Sequence, residues 1–268
     1  MLITGAASGM GLLYARRAVA ERARAVMLWD VNASALEHAA AGLRSDATPG
    51  TTIFSYVVDL ADPESIAVVA ARVRAEVGIP DVLINNAGIV RGSYFSQHDS
   101  AKDTLPTMKV NALAPMLVTT EFLTGMIGEP ARARRIVNIA SAVGLFSNPR
   151  MSVYVASKWA LLGWSDSLRL ELAQQGIENV RVTTVAPSYI STGMFEGAKG
   201  PLLTPIMTPE FVVERVWAAM LAGKPLLILP WSVYIAKFFK GVLPLSLWDR
   251  MAGPVFGIYT SMSNFIGR

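Results

Sequence analysis

The stretch Leu2-Ile3-Thr4-Gly5-Ala6-Ala7-Ser8-Gly9-Met10-Gly11 decides the fold. A short apolar run leads into a glycine-rich turn, and the apolar periodicity that follows predicts a helix. This succession forms a cradle for phosphate, because glycine allows close backbone approach and a helix N-terminus presents free N–H groups. We expect Gly5, Ser8, Met10 and Gly11 to contact a pyrophosphate, although a glycine turn alone is also compatible with a purely structural role.

An acidic residue follows the second predicted strand. Residues 25–30 form an apolar run that ends at Asp30. A carboxylate at this place can accept hydrogen bonds from a ribose 2′-OH and would repel a 2′-phosphate. Val31 and Asn32 are not basic, and the glycine turn contains no basic residue. The pattern favours NAD over NADP, and the alternative is that Asp30 caps the next helix.

The second half of the chain contains a hydroxyl, a phenol and an ammonium at characteristic spacing: Ser141, Tyr154 and Lys158. Tyr154 and Lys158 are four residues apart, so on a helix they share one face. A neighbouring cation can stabilise a phenolate, which a tyrosine base requires because its usual pKa is about 10. Taken singly, Ser141 could be a loop hydroxyl and Lys158 a surface cation.

Further segments complete a known set. The chain resembles the short-chain dehydrogenase/reductase family from residue 2 to about residue 230. The matching segments are residues 4–11, Asp59-Leu60, Asn85-Asn86-Ala87-Gly88, Asn111, Ser141 and residues 154–158. The interval of 13 residues between Ser141 and Tyr154 is usual in that family. Within it, residues 26–32 resemble a stretch of the membrane-associated retinol and 17β-hydroxysteroid dehydrogenases.

The resemblance implies an α/β fold of the Rossmann type, a doubly wound parallel sheet of seven strands in the order 3-2-1-4-5-6-7. It also implies hydride transfer between a nicotinamide and an alcohol. Tyr154 would be the general acid/base, stabilised as phenolate by Lys158 and by the nicotinium charge. Ser141 would hold the substrate oxygen, Lys158 would also bind the ribose, and Asn111 would hold a water that links Lys158 to solvent.

The resemblance also assigns cofactor contacts beyond the glycine turn. Asp59 and Leu60 would contact the adenine, and Asn86, Ala87 and Gly88 the adjoining ribose. After the sixth strand, Pro187, Ile190 and Thr192 would lie at the carboxamide. The family usually has Pro-Gly-x-x-x-Thr at this point, whereas this chain has Ser188 in place of the glycine, which reduces backbone freedom.

Size and composition set the remaining bounds. A length of 268 residues suits one α/β domain, and the absence of cysteine suits a reducing cytoplasm. Net charge is +4 with no basic stripe, so we expect no nucleic-acid partner. The arginines at 132, 134 and 135 suggest a solvated loop, and His38 and His98 are isolated, so we expect no metal. Residue 1 adjoins the first strand, and the sequence leaves open whether a few residues precede it.

Strand and helix signals alternate along the chain. The predicted strands are 2–4, 25–30, 52–58, 81–85, 135–140, 180–186 and 226–229. The predicted helices are 9–23, 32–44, 63–77, about 101–126, 153–175 and 209–222. We divide the chain into an NAD-binding domain with its catalytic site, residues 1–230, and an apolar extension of the same domain, residues 231–268.

The extension permits three interpretations: a lid, a subunit contact or a segment on a membrane surface. Residues 225–268 contain four basic side chains against one acidic side chain, giving +3, and aromatic residues stand near the basic ones. These aromatic residues are Phe238, Phe239, Trp248 and Phe256. In the related family, the helices containing Asn111 and Tyr154 commonly form a subunit interface, so we expect a homodimer or homotetramer.

The loops at residues 142–151 and 189–207 predict an apolar, adaptable substrate pocket. Its candidates are Val143, Leu145, Phe146, Met151, Met194, Phe195, Leu202, Leu203 and Met207. A lipophilic secondary alcohol or ketone fits, of steroid, retinoid or fatty-chain type. Two alternatives stay open: a 3-oxoacyl carrier-protein reductase that uses NADPH, and a nucleotide-binding sensor without turnover.

Overall fold

The computed structural model describes residues 1–266 and builds them around a seven-stranded sheet. The strands are β1 (Leu2–Thr4), β2 (Ala25–Asp30), β3 (Thr52–Val57), β4 (Val82–Asn85), β5 (Arg134–Ile139), β6 (Val180–Pro187) and β7 (Leu226–Leu229). All adjacent strands pair in parallel, in the order β3-β2-β1-β4-β5-β6-β7. The predicted Rossmann-type topology is therefore confirmed.

The helices connect these strands. They are α1 (Gly9–Ala20), α2 (Ala33–Asp46), α3 (Pro63–Glu76), α4 (Leu105–Met108), α5 (Ala114–Ile127), α6 (Ser152–Gln174), α7 (Pro209–Leu221), α8 (Ser232–Val242) and α9 (Leu245–Arg250). α1 ends three residues before its predicted end, because Arg22 adopts left-handed backbone with φ of 57°. The sequence did not predict α8 and α9, which lie in the C-terminal extension.

The core is two apolar layers, one on each face of the sheet. Alternate residues of a strand face opposite layers, so Leu28 packs with α1, α2 and α7, whereas Met27 and Trp29 pack with α3, α5 and α6. The near-continuous burial of the central strands is typical of a parallel sheet covered on both faces. This covered sheet fixes the strand ends, where the side chains of the site lie.

The arginine cluster at the start of β5 is only partly a solvated loop: Arg132 precedes the strand and is exposed, whereas the expectation was wrong for Arg134. Arg134 is the first residue of β5 and is fully buried. Its guanidinium contacts Asp81 at 2.8 Å and Glu129 at 3.0 Å, and donates to the Ile79 carbonyl oxygen at 2.9 Å. Buried charge needs such partners. Glu129 is near Arg134 in the chain, whereas Ile79 and Asp81 are 55 and 53 residues away.

One helical stretch, Ser100–Ile127, is long and apolar enough to span a membrane by length and composition. It comprises α4, α5 and two wide turns of i→i+5 type, Ser100–Thr104 and Lys109–Leu113. Its side chains Val118 and Phe122 pack in the core beneath the sheet. Of its most apolar 18 residues, 44% are buried in the fold, so burial accounts for part of its apolar composition.

Candidate active site

The glycine turn between β1 and α1 is sterically obligatory. Gly5 and Gly9 adopt left-handed backbone, with φ of 62° and 53°. A Cβ on Gly11 would lie 2.0 Å from the Gly5 carbonyl oxygen, and one on Gly5 would lie 2.9 Å from the Ala87 Cα. Ser8, the N-cap of α1, makes no side-chain capping bond, so the first N–H groups of the helix are left for an anion.

Hydrogen bonds tie this turn to the end of β4. The Thr4 hydroxyl accepts from the backbone N–H groups of Asn86 and Ala87, at 3.0 and 3.1 Å. The Asn86 side-chain amide donates to the carbonyl oxygens of Thr4 and Gly5, at 3.0 and 3.3 Å. The side chain of Asn86 therefore braces the turn.

Asp30 lies at the end of β2 and faces the same turn. Its carboxylate accepts from the backbone N–H of Ala7 and of Asn32, both at 3.0 Å. The N-cap of α2 is Asn32, whose side-chain oxygen accepts from Ala35 at 3.0 Å. The alternative in which Asp30 caps that helix is wrong, and Asp30 lines the cleft above the turn.

A large cleft, which we call the nucleotide cleft, runs along the carboxyl ends of the strands, with about 1330 Å³ of empty space partly open to solvent. It brings together nearly all of the expected contact residues. These are Gly5, Ser8, Met10, Asp30, Asp59, Leu60, Asn86, Ala87, Gly88, Ser141, Tyr154, Lys158, Pro187, Ile190 and Thr192. Gly11 is packed behind the turn and Asn111 is buried, so neither lines the cleft. The size, the glycine cradle and the uncapped helix fit a dinucleotide.

Tyr154 and Lys158 lie on one face of α6, as their spacing predicts. Both are buried, and the Lys158 Nζ lies 5.6 Å from the centroid of the Tyr154 ring. Burial raises the pKa of Tyr154 well above its usual value, an effect that a hydrogen bond with the Ser141 side chain opposes. Burial also lowers the pKa of Lys158 to about 8. In this state the phenol holds its proton.

Two contacts of these residues differ from the expected arrangement. Lys158 donates to the Ile139 carbonyl oxygen at 2.9 Å. The Ser141 hydroxyl donates to the Pro187 carbonyl oxygen at 3.4 Å and accepts from the Val143 N–H at 3.4 Å. The protein therefore holds both side chains with backbone groups at the ends of β5 and β6.

Asn111 sits in the wide turn Lys109–Leu113 and is fully buried. Its side-chain oxygen accepts from the Ile89 N–H at 2.8 Å, and its amide donates to the Ile89 carbonyl oxygen and to the Ser157 hydroxyl, at 2.8 and 3.1 Å. These bonds clamp the segment after β4 against α6. The Asn111 side chain is thus already bonded to protein groups. Its role in holding a relay water stays a prediction.

A second cleft adjoins the first at Ser141, Ser188 and Phe195. This substrate cleft has about 750 Å³ of empty space, part of it open to solvent, and is mainly apolar. The expected pocket residues that line it are Val143, Phe146, Met151, Phe195, Leu202 and Leu203. Met194 lines the nucleotide cleft instead, Met207 packs in the core and Leu145 packs at the core's edge, so the expectation was wrong for these three.

The C-terminal extension supplies one wall of the substrate cleft. Val233, Ile235 and Ala236 of α8 line it, together with Phe256 and Ile258. Trp248 is buried beneath this wall, against Phe146. Of the three interpretations of the extension, the lid is the one that places it against the substrate cleft, and long-range packing determines which loop it covers.

Sequence reasoning also missed a polar cluster at the substrate cleft: Asn148, Tyr189 and Ser261. The three residues are far apart in the chain and match no motif. The one available signal was Tyr189, which immediately follows the unusual Ser188. Ser188 itself donates its N–H to the Leu229 carbonyl oxygen at 2.8 Å, which extends the β6–β7 pairing.

Known proteins share this architecture. Residues 1–200 match the family model described as short chain dehydrogenase. Retinol dehydrogenase 10-B of Danio rerio is 34% identical over 266 residues, covering 91% of this chain and 77% of that protein. A Burkholderia phymatum short-chain dehydrogenase/reductase in complex with NAD aligns with a TM-score of 0.76 and 23% identity, covering 90% of this chain and 92% of that one.

A short-chain dehydrogenase from Sphingobium yanoikuyae in complex with NADPH aligns with a TM-score of 0.74. It is 28% identical and covers 94% of this chain and 91% of that one. The glycine turn, the buried Ser-Tyr-Lys set and these matches agree. The chain belongs to the short-chain dehydrogenase/reductase family, within which it is similar to the retinol dehydrogenases.

Proposed function

We propose that the protein is an NAD(H)-dependent oxidoreductase that transfers hydride between nicotinamide and a lipophilic alcohol or ketone. The supporting observation is the junction of the two clefts at Ser141, with Tyr154 and Lys158 buried beside it. The apolar substrate cleft suits a steroid, a retinoid or a fatty chain. The relative named for retinol, a primary alcohol, extends the class beyond secondary alcohols.

The bound dinucleotide supplies the acceptor or donor of hydride. The glycine turn and Asp30 would hold its adenosine half, and Lys158 its nicotinamide ribose. Tyr154 exchanges a proton with the substrate oxygen, and Ser141 orients that oxygen by a hydrogen bond. Ser141 lies at the junction, where an alcohol entering the substrate cleft meets the nucleotide cleft. Tyr154 lines the nucleotide cleft, and its hydroxyl is hydrogen-bonded with the Ser141 side chain.

The protonation state of Tyr154 determines what reduction and oxidation of the substrate each require. Tyr154 is protonated in this structure, because burial raises its pKa, so it is prepared to donate in a reduction. As a base in an oxidation, it needs positive charge beside the ring. The Lys158 ammonium, 5.6 Å from the ring centroid, is the protein's own contribution to that charge.

Asp30 supports NAD as the preferred cofactor. Its carboxylate lines the nucleotide cleft next to Val31, so no basic side chain follows it to receive a 2′-phosphate. NADP stays the alternative, as in the Sphingobium relative that binds NADPH. A reductase of carrier-protein thioesters that uses NADPH and a sensor without turnover are the rival functions.

Steady-state turnover tests the proposal. Wild type and Tyr154→Phe are assayed with NAD and with NADP against retinol, steroid alcohols, long-chain secondary alcohols and a 3-oxoacyl thioester. We expect NAD-dependent oxidation of a lipophilic alcohol, and a loss of about 10²- to 10⁴-fold in Tyr154→Phe with cofactor binding retained. Preference for NADP and the thioester would support the reductase, and tight NAD binding without any turnover would support the sensor.

We also propose that the outer face of α8 contacts an anionic membrane. Trp231, Tyr234, Phe238 and Val242 recur at helical spacing and are 45–65% exposed. Lys237 lies on the same exposed side of the helix, and Ile235 both lines the substrate cleft and is exposed. A lipophilic substrate could therefore enter from the lipid phase.

Flotation with phosphatidylserine vesicles measures this contact. The intact protein should float, and Phe238→Glu should reduce the bound fraction several-fold, because it places a charge on the apolar face. Val68→Glu is the matched control, since Val68 is an exposed apolar residue of α3, remote from the extension in the chain. Failure of the intact protein to float would contradict the proposal.

We propose a homodimer or homotetramer as well. The outer faces of the helices that contain or follow Asn111 and Tyr154 expose the apolar side chains Leu113, Trp159 and Leu170, at 46–52%. Paired burial of such side chains would stabilise an assembly. Light scattering at micromolar concentration should report a mass of at least two chains, and a monomer would contradict this proposal.

A further inference from the structure

We infer that Asn148 selects substrates that carry a second hydrogen-bond donor, away from the reacting carbon. This inference rests on the proposed function, because it specifies a chemical feature of the substrate. Asn148 lines the substrate cleft and is 5% exposed. Its side-chain oxygen is buried and has no hydrogen-bond partner.

The Asn148 side chain is held by a compact polar cluster in otherwise apolar surroundings. Its amide nitrogen donates to the Ser261 hydroxyl at 2.9 Å and to the Tyr189 hydroxyl at 3.2 Å. The Tyr189 and Ser261 hydroxyls are 2.8 Å apart. Ser261 also donates to the Ile258 carbonyl oxygen at 2.7 Å. The cluster joins the loop after β5, the loop after β6 and the C-terminal extension.

The protons of this cluster fix the direction of every bond. Ser261 donates its proton to Ile258, so its oxygen accepts from both Asn148 and Tyr189. Burial raises the pKa of Tyr189, which therefore keeps its proton and donates it to Ser261. The two amide protons of Asn148 then go to Ser261 and Tyr189. The four protons go to three oxygen atoms, because the Ser261 hydroxyl oxygen accepts two of them.

The reverse orientation of the amide would leave two buried N–H donors without acceptors, so the cluster favours the orientation found. What remains is one acceptor, the side-chain oxygen of Asn148, a residue that lines the cleft that the proposed substrate enters. Leaving a buried acceptor unpaired costs free energy, so a ligand that donates to it gains affinity over one that does not.

The cluster lies beside the reacting centre and is distinct from it. Phe195 contacts the ring of Tyr154 at 5.9 Å and the ring of Tyr189 at 5.4 Å, centroid to centroid. Of the two clefts, Asn148 and Tyr189 line only the substrate cleft, whereas Tyr154 lines only the nucleotide cleft. The donor that Asn148 recognises is therefore a second group, separate from the hydroxyl that reacts at Tyr154. Retinol has a single hydroxyl, the reacting one, so the inference separates the preferred substrate of this protein from retinol itself.

The experiment uses long-chain secondary alcohols of several lengths, each with one of three distal groups: a tertiary hydroxyl, a methyl ether or hydrogen. The tertiary hydroxyl can donate but cannot be oxidised, the ether can only accept, and hydrogen does neither. Affinity is measured by calorimetry in Tyr154→Phe with NAD present, where the proposed turnover is blocked. Turnover is measured in the wild type.

We expect the best-fitting hydroxylated alcohol to bind about tenfold more tightly than its ether and hydrogen partners. Asn148→Leu, of similar size, should reduce that preference to about onefold. The three probes test the unaltered Asn148 even if this variant folds poorly. Equal affinities for the three distal groups at every chain length would overturn the inference, and a water bound to the Asn148 side-chain oxygen would give that result. A preference for the methyl ether would also overturn it.

The two proposals fail differently. Turnover of the alcohols without any preference for the hydroxylated series would overturn the role of Asn148 and leave the proposed function intact. A preference in binding that Asn148→Leu abolishes, without turnover in the wild type, would leave the role of Asn148 intact and contradict the proposed function.

Discussion

The buried ammonium of Lys158 gives the sharpest prediction about stability. Burial lowers its pKa from 10.5 to about 8. At about 1.4 kcal/mol per pH unit, holding the charged form in the folded protein costs about 3 kcal/mol near pH 7. Lys158→Met removes that cost and also removes the hydrogen bond to the Ile139 carbonyl oxygen, which contributes about 1 kcal/mol.

We therefore expect Lys158→Met, without cofactor, to be about 2 kcal/mol more stable than the wild type at pH 7, although it should be inactive. For a chain of this size, that corresponds to a rise in Tm of about 4 to 8 °C. The result would be typical of a functional site that reduces stability.

The pH dependence follows from the sign of the shift. Below pH 8, Lys158 is protonated in both the folded and the unfolded state, so the full cost is present. As the pH rises from 8 towards 10.5, the folded state releases the proton first and the cost declines. The advantage of Lys158→Met should therefore shrink towards zero by pH 10.

Urea unfolding at pH 7, 8, 9 and 10 measures the difference. Lys102→Met, at an exposed lysine, is the control and should change the free energy of unfolding by less than about 0.5 kcal/mol at every pH. A Lys158→Met protein that is less stable than the wild type at pH 7, or a difference that does not change with pH, would refute the reasoning.

Two further predictions concern the nucleotide cleft. Gly11→Ala should weaken NAD binding by at least about 100-fold, because the added Cβ would lie 2.0 Å from the Gly5 carbonyl oxygen. Calorimetry measures the affinity, with Gly42→Ala, in open space on α2, as the control, and a near-normal affinity of Gly11→Ala would contradict the prediction. Asp30→Ala should lower the ratio of kcat/KM for NAD over NADP by about tenfold, since the carboxylate that repels a 2′-phosphate is lost; an unchanged ratio would show that Asp30 serves only Ala7 and Asn32.

Local chemistry made much of the fold and the site predictable. A turn with close backbone approach requires glycine, as at Gly5 and Gly11, so the glycine pattern in the sequence indicates such a turn. The i and i+4 spacing of Tyr154 and Lys158 fixes a shared helix face in the same way. Strand order came from family resemblance, and the structure confirms it.

The residues that sequence reasoning missed depend on contacts between distant parts of the chain. Asn148 meets Tyr189 across 41 residues and Ser261 across 113, and nothing local to any of them indicates the meeting. Arg134 has a surface-type sequence context, but Asp81, Glu129 and a carbonyl oxygen surround it. The extension was predicted as apolar, but its aromatic side chains differ in burial: Trp248 is buried and Phe238 is exposed. The apolar composition alone does not show which of them packs against the protein.

The most direct test of the central claim is deuterium transfer. A lipophilic alcohol deuterated at its carbinol carbon is incubated with NAD and the protein, and the mass of the NADH formed is measured. The wild type should deliver the deuterium to NADH, and Tyr154→Phe should do so at least about 100-fold more slowly while still binding NAD. NAD binding without deuterium transfer from retinol, steroid or fatty-chain alcohols would contradict the account.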